Sequence, residues 1–171
     1  MITLPNTGIM SRSTQKDHFE YFGEVKKGTV ILNQLGKIVD EEWRKIAVIR
    51  SGVDLDSYII MPNHSHGILI VNQSAELKTV ETHLPAGRQG RDASLRNPVC
   101  VNSLSNIIRG FKGAVTKRIH QLGYLEFKWQ ARFYDHIIRT EQDLIRIREY
   151  INLNPLKWDI EKNNPENLFE D

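Results

Sequence analysis

Residues 54–71 restrict the fold of this chain more than any other stretch. They read DLDSYIIMPNHSHGILIV, two runs rich in β-branched and apolar residues on either side of Met61-Pro62-Asn63. Proline presets φ and asparagine tolerates turn geometry, so the pattern predicts two strands joined by a tight turn or a bulge. The longest apolar runs lie here, Tyr58-Ile-Ile-Met61 and Ile68-Leu-Ile-Val71. Both fall far short of the ~20 residues that span a bilayer, so no membrane association is expected. The opening MITLPNTGIMSRST has no basic region followed by an apolar stretch, so no signal peptide is expected.

Around this β core the hydrophobic period changes to helical. Residues 33–49 put Leu35, Ile38, Val39, Trp43 and Ile46 on one face, and Ser51-Gly52 ends the helix. Residues 103–122 repeat the pattern with Leu104, Ile107, Ile108, Phe111, Val115, Ile119 and Leu122. Gly110 and Gly113 sit away from that stripe. Each costs a helix up to ~1 kcal/mol, which suggests either a close approach to the backbone or a weak surface helix. Residues 19–30 read as short strands around a Lys27-Gly28 turn. Residues 127–139 read as an extended segment with Phe133, Ile137 and Ile138 in the core. Thr140 then caps a third helix, with Asp143 at the capping-box position and Leu144, Ile147 and Ile151 as its apolar line. Pro155 is expected to end it.

The chain of 171 residues is expected to form one domain, residues 1–171. With 40% hydrophobic and 26% charged residues it can build a core. Residues 72–100 contain HLPAGRQGRDASLRNP and little apolar period, and are read as a flexible insertion loop. The one cysteine, Cys100, excludes an internal disulfide and a Cys-rich zinc site, and the expected compartment is the cytoplasm. Net charge is only +2, but it is unevenly spread. Residues 105–132 carry Arg109, Lys112, Lys117, Arg118, Lys128 and Arg132 against Glu126, while residues 159–171 form an acidic tail. Such polarity suits either a solvated helix face or contact with nucleic acid.

Three positions could carry chemistry. His64 and His66, two apart on a strand, share one face with Cα atoms roughly 6.6 Å apart, so both imidazoles can meet one cation; backbone-bonded histidines are the plainer alternative. Tyr150 lies at the border of the third helix's apolar face, with Asn154 one turn on. A border tyrosine is either a core residue with a wet hydroxyl or a nucleophile. The second role needs an electrophile activated by a metal ion, because phenol has a pKa near 10.

MPNHSHGILIV, followed much later by FYDHIIRTEQDLIRIREYINLNPLKW with KWQARFYD between, resembles the HUH single-tyrosine transposases, closest to the REP-associated and insertion-sequence branches. The middle residue of the His-hydrophobic-His pattern is Ser65 here, which points to the opposite face from the histidines. The resemblance covers residues 19–158 apart from the loop. It implies an α+β fold, an antiparallel ferredoxin-like sheet of four or five strands with helices mainly on one face. It implies Tyr150 as nucleophile, His64, His66 and Asn154 as ligands of Mg²⁺ or Mn²⁺, and a single-stranded or hairpin DNA partner. The implied reaction is DNA nicking and strand transfer through a 5′-phosphotyrosine. Asn154 could equally cap its helix, and His136 is expected to belong to the strand or to hydrogen-bond around the site. Candidate phosphate contacts are Arg109, Lys112, Lys117, Arg118, Lys128, Arg132 and Arg139, with Trp129 and Tyr134 as aromatics that could stack bases, although Trp129 is read first as a core packing residue. Relatives act as dimers or alone, so a homodimer is within the expectation. The family opens with an aromatic-rich strand that residues 1–16 supply poorly, so a degraded or missing first strand is expected. Two other readings share these residues: a hairpin-binding protein that has lost turnover, and a metallohydrolase in which the histidine pair activates water.

Overall fold

The computed structural model describes residues 6–11, 19–72, 103–130 and 134–162. The first described element is strand β1 (Asn6–Ser11). A hairpin of β2 (Gly23–Lys26) and β3 (Thr29–Leu32) follows, turning at Lys27 and Gly28, both at positive φ. Helix α1 (Gln34–Ile49) comes next, then β4 (Val53–Ile60) and β5 (Ser65–Val71). Helix α2 (Leu104–Gln121), strand β6 (Tyr134–Ile138) and helix α3 (Glu141–Lys162) complete the described chain. The main sheet is antiparallel and four-stranded, in the order β4-β5-β1-β6, and β2 and β3 form a separate two-stranded sheet.

Local chemistry explains the element ends. The Asn33 side-chain oxygen accepts from the Leu35 and Gly36 amides at 2.9 and 3.0 Å, capping α1. Ser103 caps α2 by accepting from Asn106, and Thr140 caps α3 by accepting from the Asp143 amide at 3.1 Å. The β4–β5 turn closes through the Met61 amide, which donates to the His64 carbonyl at 2.7 Å with Pro62 and Asn63 between. Its Pro62 carbonyl accepts from Phe22, tying the turn to the chain just before β2.

Two cores lie on opposite faces of the sheet. The larger gathers Val39, Trp43 and Ile46 of α1 with Ile107, Phe111, Val115 and Ile119 of α2, against Leu69 of β5. The smaller joins Ile68 of β5, Ile138 of β6 and Ile151 of α3, with Leu144 and Ile147 packed on it. Neighbouring residues of a strand point to opposite faces, so the Ile68–Leu69 step divides the two cores. Helices α1 and α2 therefore share one face, and α3 covers the other. Polar clamps set the angles. Arg118 of α2 donates to Glu41 and Glu42 of α1, both at 2.7 Å. Arg148 of α3 makes a two-pronged contact with Asp56, at 2.9 and 2.5 Å. Asp56 sits in a bulge between Leu55 and Tyr58 of β4.

Three expectations need revision. A first strand is present: β1 occupies an inner position of the sheet, between β5 and β6. Pro155 does not end α3, which continues through it to Lys162. The hydrogen bond lost at the Ile151 carbonyl is offset by packing, because Asn154 and Pro155 are buried and Asp159 further on accepts from the Gly28 amide at 3.1 Å. Ile137 is 51% exposed rather than core, since it alternates with the buried Ile138 on an edge strand. The two helix glycines differ: the Arg50 guanidinium lies 3.1 Å from where a Gly110 Cβ would stand, while nothing lies within 4 Å at Gly113 among the described residues. Residues 73–100 of the expected insertion, Arg132, Phe133 and the tail beyond 162 lie outside the described residues.

Candidate functional site

The site grows from the alternation of β5. Gly67 faces α1, and a Cβ there would stand 2.3 Å from Cζ2 of Trp43. The buried indole thus occupies the side-chain space of that position. His66, one residue earlier, must point the other way, toward α3. It is buried at 6% exposure. His64 ends the β4–β5 turn, and its ring meets that of His66 edge to face with centroids 4.7 Å apart. Oδ1 of Asn63 lies 2.6 Å from Nδ1 of His64. With the carbonyl oxygen there, Nδ1 carries the proton and Nε2 keeps its lone pair, the form an imidazole takes as a metal ligand.

Helix α3 supplies the opposite wall. Its face toward the sheet carries Ile147, Tyr150, Ile151, Asn154 and Trp158, successive steps of 3, 1, 3 and 4 residues that keep to one side of a helix. The Tyr150 ring meets His66 edge to face at 5.3 Å, and the Trp158 ring lies 5.7 Å from His64. Asn154, buried, sits on the helix midway between those two aromatics, a turn from each. The Tyr150 side of the site is open: Tyr150 is 43% exposed, and the Lys157 ammonium stands 5.3 Å from its ring centroid. Beside it, a cavity of about 550 Å³ opens between β6 and α3, with His66 and Tyr150 in its wall.

The structure thus brings together His64, His66 and Tyr150, with Asn154 between the two aromatics that touch the histidines. Among the described residues no three of His, Cys, Asp or Glu form a metal-binding group. The candidate donors are instead two imidazoles and one amide oxygen. Such a set suits a divalent ion that keeps positions open for oxygens of a substrate.

The basic residues expected to bind DNA are dispersed. Helix α2 packs in the larger core, across the sheet from Tyr150. Arg109 is exposed and bonded to Asn106, Lys117 is exposed, and Arg118 is committed to Glu41 and Glu42. Lys112 donates to the Gln130 carbonyl at 3.0 Å and lies 5.7 Å from the Trp129 ring, and its burial pushes its pKa down. Trp129 packs on the core and donates to the Lys112 carbonyl. Lys128 and Arg139 are exposed, and Tyr134 and His136 line the cavity. Asn63, Lys157 and Trp158 were not legible as site residues. Continuing the Tyr150–Asn154 spacing by four would have reached Trp158, had Pro155 not been read as a stop.

No family model matches the sequence. A solved REP-associated tyrosine transposase bound to a REP hairpin matches with a TM-score of 0.54 at 18% identity, covering 91% of this chain and 69% of that one. The chain thus shares the fold of that transposase, the kind of protein that the histidine and tyrosine motifs resemble. An uncharacterized protein of Haemophilus influenzae is 33% identical over 178 residues, 93% of this chain and 96% of that protein, and the two belong to one family.

Proposed function

We propose that this protein nicks and rejoins single-stranded DNA as a transposase, through a 5′-phosphotyrosine on Tyr150, with His64, His66 and Asn154 holding Mg²⁺ or Mn²⁺. The observation that carries the reading is one contact chain: His64 to His66 at 4.7 Å and His66 to Tyr150 at 5.3 Å. A divalent ion bound there would supply charge stabilisation to the oxygens of the scissile phosphate. The protein's own residues do the rest. Asn63 and Trp158 fix the His64 ring. The Tyr150 oxygen forms a bond to phosphorus as the bond to the 3′ oxygen breaks. The phenol gives up its proton and the departing 3′ oxygen gains one. The products are a 5′-phosphotyrosine and a 3′-hydroxyl, and the reverse attack by a 3′-hydroxyl reseals the strand without ATP.

The order of elements, β–α–β–β–α–β around the four-stranded sheet, supports a ferredoxin-like arrangement, with α3 as the helix on the catalytic face among the described residues. The REP hairpin on the structural neighbour supports a hairpin as the DNA partner. Lys157 is a cation on the Tyr150 side of the sheet, so it takes precedence over α2 for contact with the strand being cut.

A DNA hairpin labelled at its 3′ end and incubated with Mn²⁺ tests the reading on a denaturing gel. The expected result is a protein-linked band that Tyr150→Phe abolishes. Hairpin binding without cleavage would leave a binder that has lost turnover. Multiple-turnover hydrolysis surviving Tyr150→Phe would point to a metallohydrolase.

A further inference from the structure

We propose that the cavity between β6 and α3 receives one unpaired nucleobase of the strand held at Tyr150, stacked on Tyr134. The proposal rests on the reading of Tyr150 as the group that attacks DNA. At about 550 Å³ the cavity falls within the range of small-molecule sites. Its position follows from the sheet register. Ser11 of β1 is opposite His66 on one side and opposite Tyr134 on the other, so Tyr134 lies in the row of His66, two strands away. Two strand spacings amount to roughly 9.6 Å. Strand β6 is the sheet edge, and Tyr134 presents its ring there with 68% of the residue exposed.

The lining matches a base better than a phosphate. Ile147 and Ile151 contribute apolar surface, and Tyr134 contributes an aromatic face. Asp143 and Arg146 form an ion pair in the wall, so their charges cancel, while His136 stands on the same strand face as Tyr134. A phosphate site would need excess positive charge. A base edge carries donors and acceptors side by side, which the carboxylate, guanidinium and imidazole can meet. Because Tyr150 and His66 share the cavity, its occupant is continuous with the strand at the scissile phosphate.

The test uses the full chain and a DNA hairpin with a single-stranded flank, an abasic site being moved one position at a time along that flank. Binding is measured by fluorescence anisotropy, and formation of the Tyr150 adduct is followed in parallel. The expected result is one position whose missing base weakens binding about 5- to 150-fold, the range of one stacked base. Tyr134→Ala should weaken the intact hairpin similarly and become indifferent to that abasic site, while Tyr134→Phe keeps both affinity and sensitivity. The proposal is overturned if no position matters, or if the penalty is the same in Tyr134→Ala. Adduct formation persisting alongside either result removes the base site and leaves the catalytic reading standing. Absence of both adduct and binding removes the two together.

Discussion

Replacing Gly67 by alanine tests the packing that aims His66. An alanine Cβ would stand 2.3, 2.9 and 3.0 Å from Cζ2, Cη2 and Cε2 of Trp43. The indole, 1% exposed, would have to retreat by about 1 Å to reach ordinary contact distance. It has little room, since Phe111 stands edge to face at 5.3 Å and Tyr58 lies at 6.0 Å. Overpacking of this kind costs about 1–3 kcal/mol. Urea denaturation should show a lower midpoint at unchanged slope. Trp43→Leu makes the space, so the double variant should cost less than the two singles summed, with a coupling of at least 0.5 kcal/mol. If β5 shifts instead of the indole, His66 moves with it, and a displacement of ~1 Å can cost about 10²-fold in cleavage. A Gly67→Ala protein within about 0.5 kcal/mol of the parent and additive with Trp43→Leu would refute the reasoning.

The remaining predictions concern the clamps and the histidine pair. Hydrogen bonding from Arg148 holds the Asp56 carboxyl below its ordinary value of 3.8, with burial opposing. Its folded pKa being lowered, the pair stabilises above pH 3.8 and loses that contribution as pH falls through the folded value. Arg148→Met should therefore cost about 0.5–1 kcal/mol at pH 7, discounted because Arg148 is 44% exposed, and progressively less as pH falls through the folded pKa of Asp56, as read by urea denaturation. Asn63→Ala removes the acceptor on His64 and should weaken Mn²⁺ affinity about 10- to 100-fold by calorimetric titration, with the fold intact by circular dichroism. Arg118→Ala should lower stability by about 1 kcal/mol while leaving hairpin affinity within twofold, because its guanidinium serves Glu41 and Glu42. A large affinity loss would return Arg118 to the DNA surface.

The parts of the fold written in short-range pattern were legible. Helices α1 and α2 follow from unbroken stripes closed by Asn33 and Ser103, and the β4–β5 turn follows from Pro62-Asn63. Features that depend on distant partners were not. β1 has no strong pattern of its own, and pairing on both sides makes it a strand. Pro155 looks like a stop until burial and the Asp159 contact with Gly28 hold the helix together beyond it. For the same reason Trp158 could not be read into the site. Charge carries less: a basic run says nothing about which face its helix buries, and α2 turns its apolar stripe to the core on the far side of the sheet from Tyr150. His64, His66 and Tyr150 were legible because residue type and order carry them, while their convergence needed α3 on the second face.

Peptide mapping of the covalent DNA adduct by mass spectrometry asks most directly whether the phenol beside the two imidazoles is the attacking group. Mn²⁺-dependent attachment of the 5′-phosphate to the peptide containing Tyr150, lost in His66→Ala, is the predicted result. Attachment at another residue, or adduct yield unaffected by His66→Ala, would contradict it.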